Sequence, residues 1–199
     1  MQKFTKADLK NLGYMNFIET DLNDFTQSVF ISRLGYTGED GFEISINNND
    51  VVKFWQNLCA DENIQPIGLA ARDSLRLEMG YPLHGHDIDE NTTPIEANLA
   101  WIVSKTNKSY YGADIVFKQK EQGASKKRVG IKLLSRGIAR EGAKILAKDD
   151  KEIGILTSGG FSPFLKQSIG QGYVDIDYCL LYTSPSPRDL STSRMPSSA

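Results

Sequence analysis

Cysteine and histidine, the residues that bridge chains and ligate transition metals, are almost missing: the chain has two of each. Cys59 and Cys179 lie far apart and fit neither a zinc pattern nor a disulfide framework, so a reducing compartment is the default. No apolar run is long enough to span a bilayer, and Met1 opens neither a signal nor a transit peptide. A formal net charge of −2 gives no electrostatic case for nucleic acid or an anionic membrane. The glycines form no GxxxxGK[ST] string and no dinucleotide fingerprint, which excludes a phosphate loop of either kind. No ligand cluster for a metal is present. What remains is 40% hydrophobic, the composition of an ordinary soluble globule with one large or two small domains.

The stretch from Pro66 to Ser104 organises the rest. Ile67, Ala71, Leu75 and Met79 recur at helical spacing, which predicts a helix with these four on one face. Gly80 and Pro82 then stop it. The following loop crowds Tyr81, His84, His86, Asp87, Asp89 and Glu90 together, more chemistry than a plain connection needs. His86 and Asp87 invite an acid–base reading, but a His–Asp contact that orders the loop is the simpler one.

Upstream, the pattern is strand and turn. Val29 and Ile31 alternate with Phe30 and Ser32, and Phe42, Ile44 and Ile46 alternate with Glu43 and Ser45, so two strands flank TGEDG as a hairpin. Tyr36 and Glu43 then stand near the two ends of one loop. Residues 47–64 predict an amphipathic helix capped by Asn49 or Asp50, with Val51, Trp55, Leu58 and Cys59 as its apolar stripe and Trp55 in the core.

Downstream, Thr93-Pro94-Ile95-Glu96 has the spacing of a capping box, while Leu99, Trp101 and Val103 alternate like a strand. YYGADIVFKQKEQG predicts a short helix ended by Gly123, and residues 124–127 are the candidate linker. From Arg128 short strands and glycines alternate: RVGIKLL, AKILAKDD, EIGILTSGGFSP, IGQGYVDID. Asp149-Asp150 suits a hairpin turn and Ser158-Gly159-Gly160 a tight loop, which together predict a small antiparallel barrel or sandwich. The last stretch, CLLYTSPSPRDLSTSRMPSSA, is Ser/Pro-rich and aperiodic, and is expected to be a non-native disordered tail over 180–199.

Several uncommon strings occur together here: GYTGEDGFE, then GLAARDSLRLEMGYPLHGHDID, then TPIEANLAWIV, and later REGAKIL and TSGGFSPFLKQSIGQGYV. In this order they resemble the aminomethyltransferase (T-protein) family of the glycine cleavage system, within the wider folate-binding family. The resemblance covers roughly Met1 to Tyr178 and about the middle of the family's length. It implies an α+β fold: a folate-binding region with a mixed sheet and helices over 1–124, then a truncated antiparallel β-barrel over 128–178. It implies transfer of the methylene of an aminomethyl group, carried on lipoylated H-protein, to tetrahydrofolate with release of ammonia. No metal or redox cofactor is required. The setting is the cytoplasm of a bacterium or a mitochondrial matrix.

The resemblance also implies site residues. Glu43 falls on the family's substrate-binding glutamate, and a single carboxylate can accept paired hydrogen bonds from a pterin's amino group and ring N–H. Arg72 falls on the arginine of ARDSLRLE, whose planar fork suits a carboxylate or pterin edge. Tyr36 and Tyr81 match tyrosines whose rings can stack on folate. These four are expected to face one cleft. From spacing alone, the favoured reading of Glu43 is a carboxylate on a wet strand face, and the plain reading of Arg72 is a helix-surface ion-pair partner. No catalytic residue is expected in the chain, because the family's aspartate lies in its N-terminal third, and the chain alone is expected to be inactive. His84, Asn98 and Ile138 depart from the family's usual tyrosine, glycine and proline. Two other readings are the tetrahydrofolate-binding half of a sarcosine or dimethylglycine dehydrogenase, and a non-catalytic folate-binding paralogue serving iron–sulfur assembly.

Overall fold

The computed structural model describes residues 1–134 and 137–179. They fall into two compact units, Met1–Arg72 and Asp73–Ala199, the second described as far as Cys179. The expected tail over 180–199 lies outside the described residues. The class is α+β, as the sequence leads one to expect. Among the described residues, no helix is long and apolar enough to cross a membrane.

The first unit is a three-stranded antiparallel meander with a 3-10 turn at Gln2–Phe4, one whole α-helix and the first residues of a second. Strands β1 (Phe17–Asp21), β2 (Ser28–Ser32) and β3 (Glu43–Ser45) pair in that order, with Ile18 opposite Ile31 and Ile31 opposite Ile44. Period-2 alternation sets the faces. Val29 and Ile31 are buried while Phe30 and Glu43 are exposed, and Phe42, Ile44 and Ile46 pack on the same core.

Helix α1 (Val51–Cys59) covers that core with only part of the predicted stripe: Leu58 packs there, while Val51 is exposed. Phe54, not Trp55, is buried; its ring meets Phe4 and Phe25 edge-on, each at 5.9 Å, while Trp55 is 54% exposed. Adjacent aromatics lie about 100° apart on a helix, so only one can enter, and two facing phenylalanines select Phe54. Neither Asn49 nor Asp50 caps α1 with its side chain; Val51 N–H donates to the Asn47 carbonyl instead.

Helix α2 (Leu69–Glu78) crosses the boundary between the units and ends at Gly80, whose φ of 69° only glycine adopts cheaply. Its buried residues are Arg76 and Leu77, not the predicted Ile67–Ala71–Leu75–Met79 row. Ile67 and Leu69 are exposed. The capping box is realised: Thr93 N–H donates to Glu96 Oε2 and Glu96 N–H to Thr93 Oγ1, at 3.1 and 3.2 Å. The expected strand after it is a single 3-10 turn, Ala100–Ile102, because Leu99 N–H and Ala97 N–H turn back onto the carbonyls of Pro94 and Thr93. Helix α3 (Ala113–Gln122) ends at Gly123 as predicted.

The four predicted C-terminal strands all form: β4 (Lys126–Lys132), β5 (Lys144–Leu146), β6 (Glu152–Ser162) and β7 (Gln167–Asp175). They make an antiparallel sheet in the order β4-β7-β6-β5, which is not closed into a barrel among the described residues. A short helix α4 (Ile176–Cys179) follows β7, so Cys179 belongs to the described fold. Residues 124–127 are no linker, since β4 starts at Lys126 and Ala124 is buried. Asp150 does turn the β5–β6 hairpin, with φ at 62°. Ser158-Gly159-Gly160, however, lies inside β6, and the β6–β7 turn comes later, at 163–166.

These glycines serve close approach instead. Gly159 faces Gly170 across β6 and β7, and Ala139 lies against both. A Cβ on Gly159 would sit 2.6 Å from the Ala139 carbonyl oxygen, and one on Gly170 would sit 3.4 Å from the Ala139 Cβ. Ser168 Oγ accepts from Ala139 N–H at 2.7 Å, which fastens that segment over the glycine slot.

Candidate functional site

In the first unit the loop between β2 and β3 is built around Arg33. Its Nε and Nη2 bond both oxygens of Asp40 at 2.9 and 2.8 Å, and its Nη1 donates to the Leu12 carbonyl at 2.8 Å. That hydrogen bonding holds the Asp40 carboxyl below the usual carboxylate range. Asp40 is thereby engaged in fixing the loop. Tyr36 stands on this loop, and the Arg72 guanidinium lies 4.5 Å from the centre of its ring. A guanidinium over a phenol face is a cation–π pair, which orients both side chains.

Glu43 begins β3 opposite Ser32, on the solvent side of the sheet. Among the described residues no cation or donor is paired with its carboxylate. The structure therefore brings Tyr36 and Arg72 together and sets Glu43 where the same loop re-enters the sheet.

Tyr81 belongs to the second unit and is described there. Its carbonyl accepts from Arg76 Nη1 at 3.2 Å and from Gln171 Nε2 at 3.0 Å. Both donors are parts of a buried polar cluster that composition and spacing do not announce. Asp87 is 1% exposed; its Oδ2 accepts from Arg76, Leu83 N–H, Ser158 and Gln171 at 2.7 to 2.9 Å. Thr157 donates to its other oxygen. Arg128, 3% exposed, donates to the Ala97 and Gly80 carbonyls and to Gln171 Oε1, at 2.9, 2.8 and 2.5 Å. Tyr173 donates its hydroxyl to the Asp87 carbonyl at 2.7 Å, and burial pushes its phenol up to about 12.

Every one of these polar groups has a partner, so the cluster is an anchor for the 80–88 loop rather than a reacting centre. The expected His86–Asp87 contact does not form. His86 Nδ1 instead meets Glu141 Oε2 at 2.8 Å on the surface, because Arg76 and the β6–β7 side chains have already enclosed Asp87. Glu78 is likewise engaged, accepting from Ser162 Oγ at 2.5 Å and Phe164 N–H at 3.2 Å. A small cleft of about 80 Å³ opens between the end of α2 and the sheet, lined by Glu78, Met79, Lys132, Ile169 and Gln171 among others. Ligand pockets for molecules of folate size run to about 300 Å³ or more, so this cleft cannot hold one. Among the described residues no cluster of three or more His, Cys, Asp or Glu could hold a metal ion.

Comparison with known proteins decides the family. Residues 1–107 match the model of the GCVT N-terminal domain, and residues 126–184 that of the glycine cleavage T-protein C-terminal barrel domain. The chain belongs to the glycine cleavage T-protein family. The aminomethyltransferase of Thermosipho melanesiensis is 45% identical to this chain over 179 residues, 89% of the chain and 48% of that protein. That of Halothermothrix orenii is also 45% identical, over 180 residues, 89% of the chain and 50% of that protein. The crystal structure of glycine cleavage system aminomethyltransferase T from Bartonella henselae superposes with a TM-score of 0.79 at 40% identity, over 85% of this chain and 46% of that one. The chain thus spans about half the length of the relatives it matches.

The cluster around Asp87 is what sequence reasoning missed. A signal existed: Arg76 and Asp87 both lie inside the ARDSLRLE-to-HDID run. Helical periodicity alone assigns Arg76 to a polar face and so hides it.

Proposed function

We propose that this chain carries part of the tetrahydrofolate-binding site of an aminomethyltransferase. The whole protein would transfer the methylene of an aminomethyl group on lipoylated H-protein to tetrahydrofolate. The amine nitrogen leaves as ammonia, the methylene becomes methylenetetrahydrofolate, and the lipoyl thiol is freed, with no oxidation or reduction in the balance. The observation that carries the reading is Glu43. An unpaired carboxylate on the solvent side of a strand, beside a loop locked by Arg33 and Asp40, suits the amino and ring N–H groups of a pterin. Two charge-assisted bonds to a pre-positioned acceptor carry both affinity and orientation.

Arg72 and Tyr36 support the same site. Their stack supplies a flat, cationic surface for a heteroaromatic ring or for the carboxylates of the folate tail. Tyr81 is proposed as a further lining residue, its backbone held by Arg76 and Gln171. No catalytic group is assigned to this chain. The division of labour proposed is a folate-binding region over 1–124 and a barrel-type region over 128–178. The setting proposed is the cytoplasm of a bacterium, or the mitochondrial matrix if the source is eukaryotic.

The test is calorimetric titration of the full chain with tetrahydrofolate. Saturable one-site binding that folate competes for is the expected result. Heats no larger than dilution would remove the proposal.

A further inference from the structure

Charge is unevenly placed on this chain. Its formal net charge is −2, yet between Trp101 and Lys127 six lysines face only Asp114 and Glu121 among acidic residues. Four of those lysines, Lys105, Lys108, Lys118 and Lys120, are exposed, and none is in an ion pair among the described residues. The fold draws them together. Lys108 and Lys120 place their ammonium groups 4.7 and 5.2 Å from the centre of one ring, Phe117, and Lys120 reaches the Ser104 carbonyl at 3.5 Å. Residues 104–110 therefore lie along α3 and add their charges to the helix's own. Val103 and Tyr110 fasten this segment by packing with Ile95, Val116 and Ala124.

Large apolar side chains flank the cations. Tyr111 is fully exposed, Trp101 is 75% exposed, and Ile115, one turn beyond Tyr111 on α3, is exposed as well. Aromatic anchors rimmed by charge are the composition of a protein interface, where a few such residues carry most of the binding energy. Nucleic acid fits less well. The patch has no arginine to fork onto phosphate, Asp114 and Glu121 would face the backbone charge, and the chain as a whole is acidic.

We propose that the α3 surface, with Lys105, Lys108, Lys118 and Lys120 around Tyr111 and Ile115, docks the carrier protein through an acidic face on that carrier. The inference rests on the functional reading above, and it assigns the docking role to a surface remote in sequence from Glu43. Unneutralised lysines would steer a carrier of opposite sign and set its orientation, which acts on association rate more than on residence.

The experiment titrates the full chain, wild type and Lys118→Glu/Lys120→Glu, with lipoylated H-protein and, separately, with tetrahydrofolate. Expected are H-protein binding that weakens as salt rises from about 0.1 to about 1 M, and a further loss of about tenfold or more in the charge-reversed variant. Tetrahydrofolate binding should not change. Tyr111→Ala should weaken H-protein binding at either salt concentration, and its full exposure makes it safe for folding. Charge reversal without effect, or absence of H-protein binding alongside normal tetrahydrofolate binding, overturns the docking surface and leaves the functional reading standing. Failure to bind either ligand overturns both. Lysine-dependent binding to duplex DNA or phosphatidylglycerol vesicles, with none to H-protein, also overturns it.

Discussion

Arg76 donates to the Asp87 carboxylate at 2.7 Å, with side chains only 3% and 0% exposed, and this pair ties the end of α2 to the loop that follows it. Ser158 and Gln171 reach the same oxygen from β6 and β7, so one carboxylate joins a helix, a loop and a sheet. Such a pair adds little over a well-packed apolar core, but removing one member leaves the other charge buried and uncompensated.

Asp87→Asn should therefore be severely destabilising. It leaves the buried Arg76 guanidinium with only the half-exposed Asp73, 2.7 Å from its Nε, as a charged partner, and turns an amide N–H toward donors, at a cost of about 3–5 kcal/mol. Denaturant unfolding is the check. A change within about 0.5 kcal/mol, the range of ordinary surface substitutions, would show that the cluster is not the anchor described.

The glycine slot gives a second prediction. Gly159→Ala puts a methyl group against the Ala139 carbonyl, which cannot withdraw while Ser168 holds its N–H. The chain should lose about 1–3 kcal/mol, the usual cost of overpacking, seen as a lower thermal midpoint. An unchanged midpoint would mean that the 139 segment moves away freely.

Alkaline pH supplies a third. Tyr173 is raised to about 12 by burial, so the fold favours its neutral phenol. Its contribution is complete below the unfolded tyrosine value of about 10 and is lost as pH climbs from there through about 12. Ultraviolet titration should show one of the eight tyrosines ionising last, and Tyr173→Phe should remove that step and flatten the alkaline loss of stability. A single titration near the ordinary value for all eight would contradict the burial argument.

Much of this was legible in the sequence, for identifiable reasons. Strict alternation in GFEISI sets β3 and its faces, and the Thr93–Glu96 spacing sets a capping box that forms atom for atom. These are local rules acting on local geometry. Tertiary packing decided the rest. Whether Phe54 or Trp55 enters the core depends on Phe4 and Phe25, distant in sequence. Ser158-Gly159-Gly160 has the composition of a turn, and only its pairing with Gln171, Gly170 and Ile169 of β7 makes it a strand. The candidate residues divide in the same way. Arg72 and Tyr36 are seen in contact, while Asp87, read as a loop acid beside His86, is enclosed by side chains that lie far along the chain.

The proposed folate site rests on the Glu43 carboxylate as an acceptor for tetrahydrofolate. The deciding measurement is calorimetric titration of tetrahydrofolate into wild type, Glu43→Gln and, as a neighbouring control, Glu39→Gln. Hydrogen bonds to a charged partner contribute about 1.5–3 kcal/mol each, so Glu43→Gln should weaken binding at least about tenfold while Glu39→Gln binds like wild type. Equal affinity in wild type and Glu43→Gln would contradict the placement of folate on this strand.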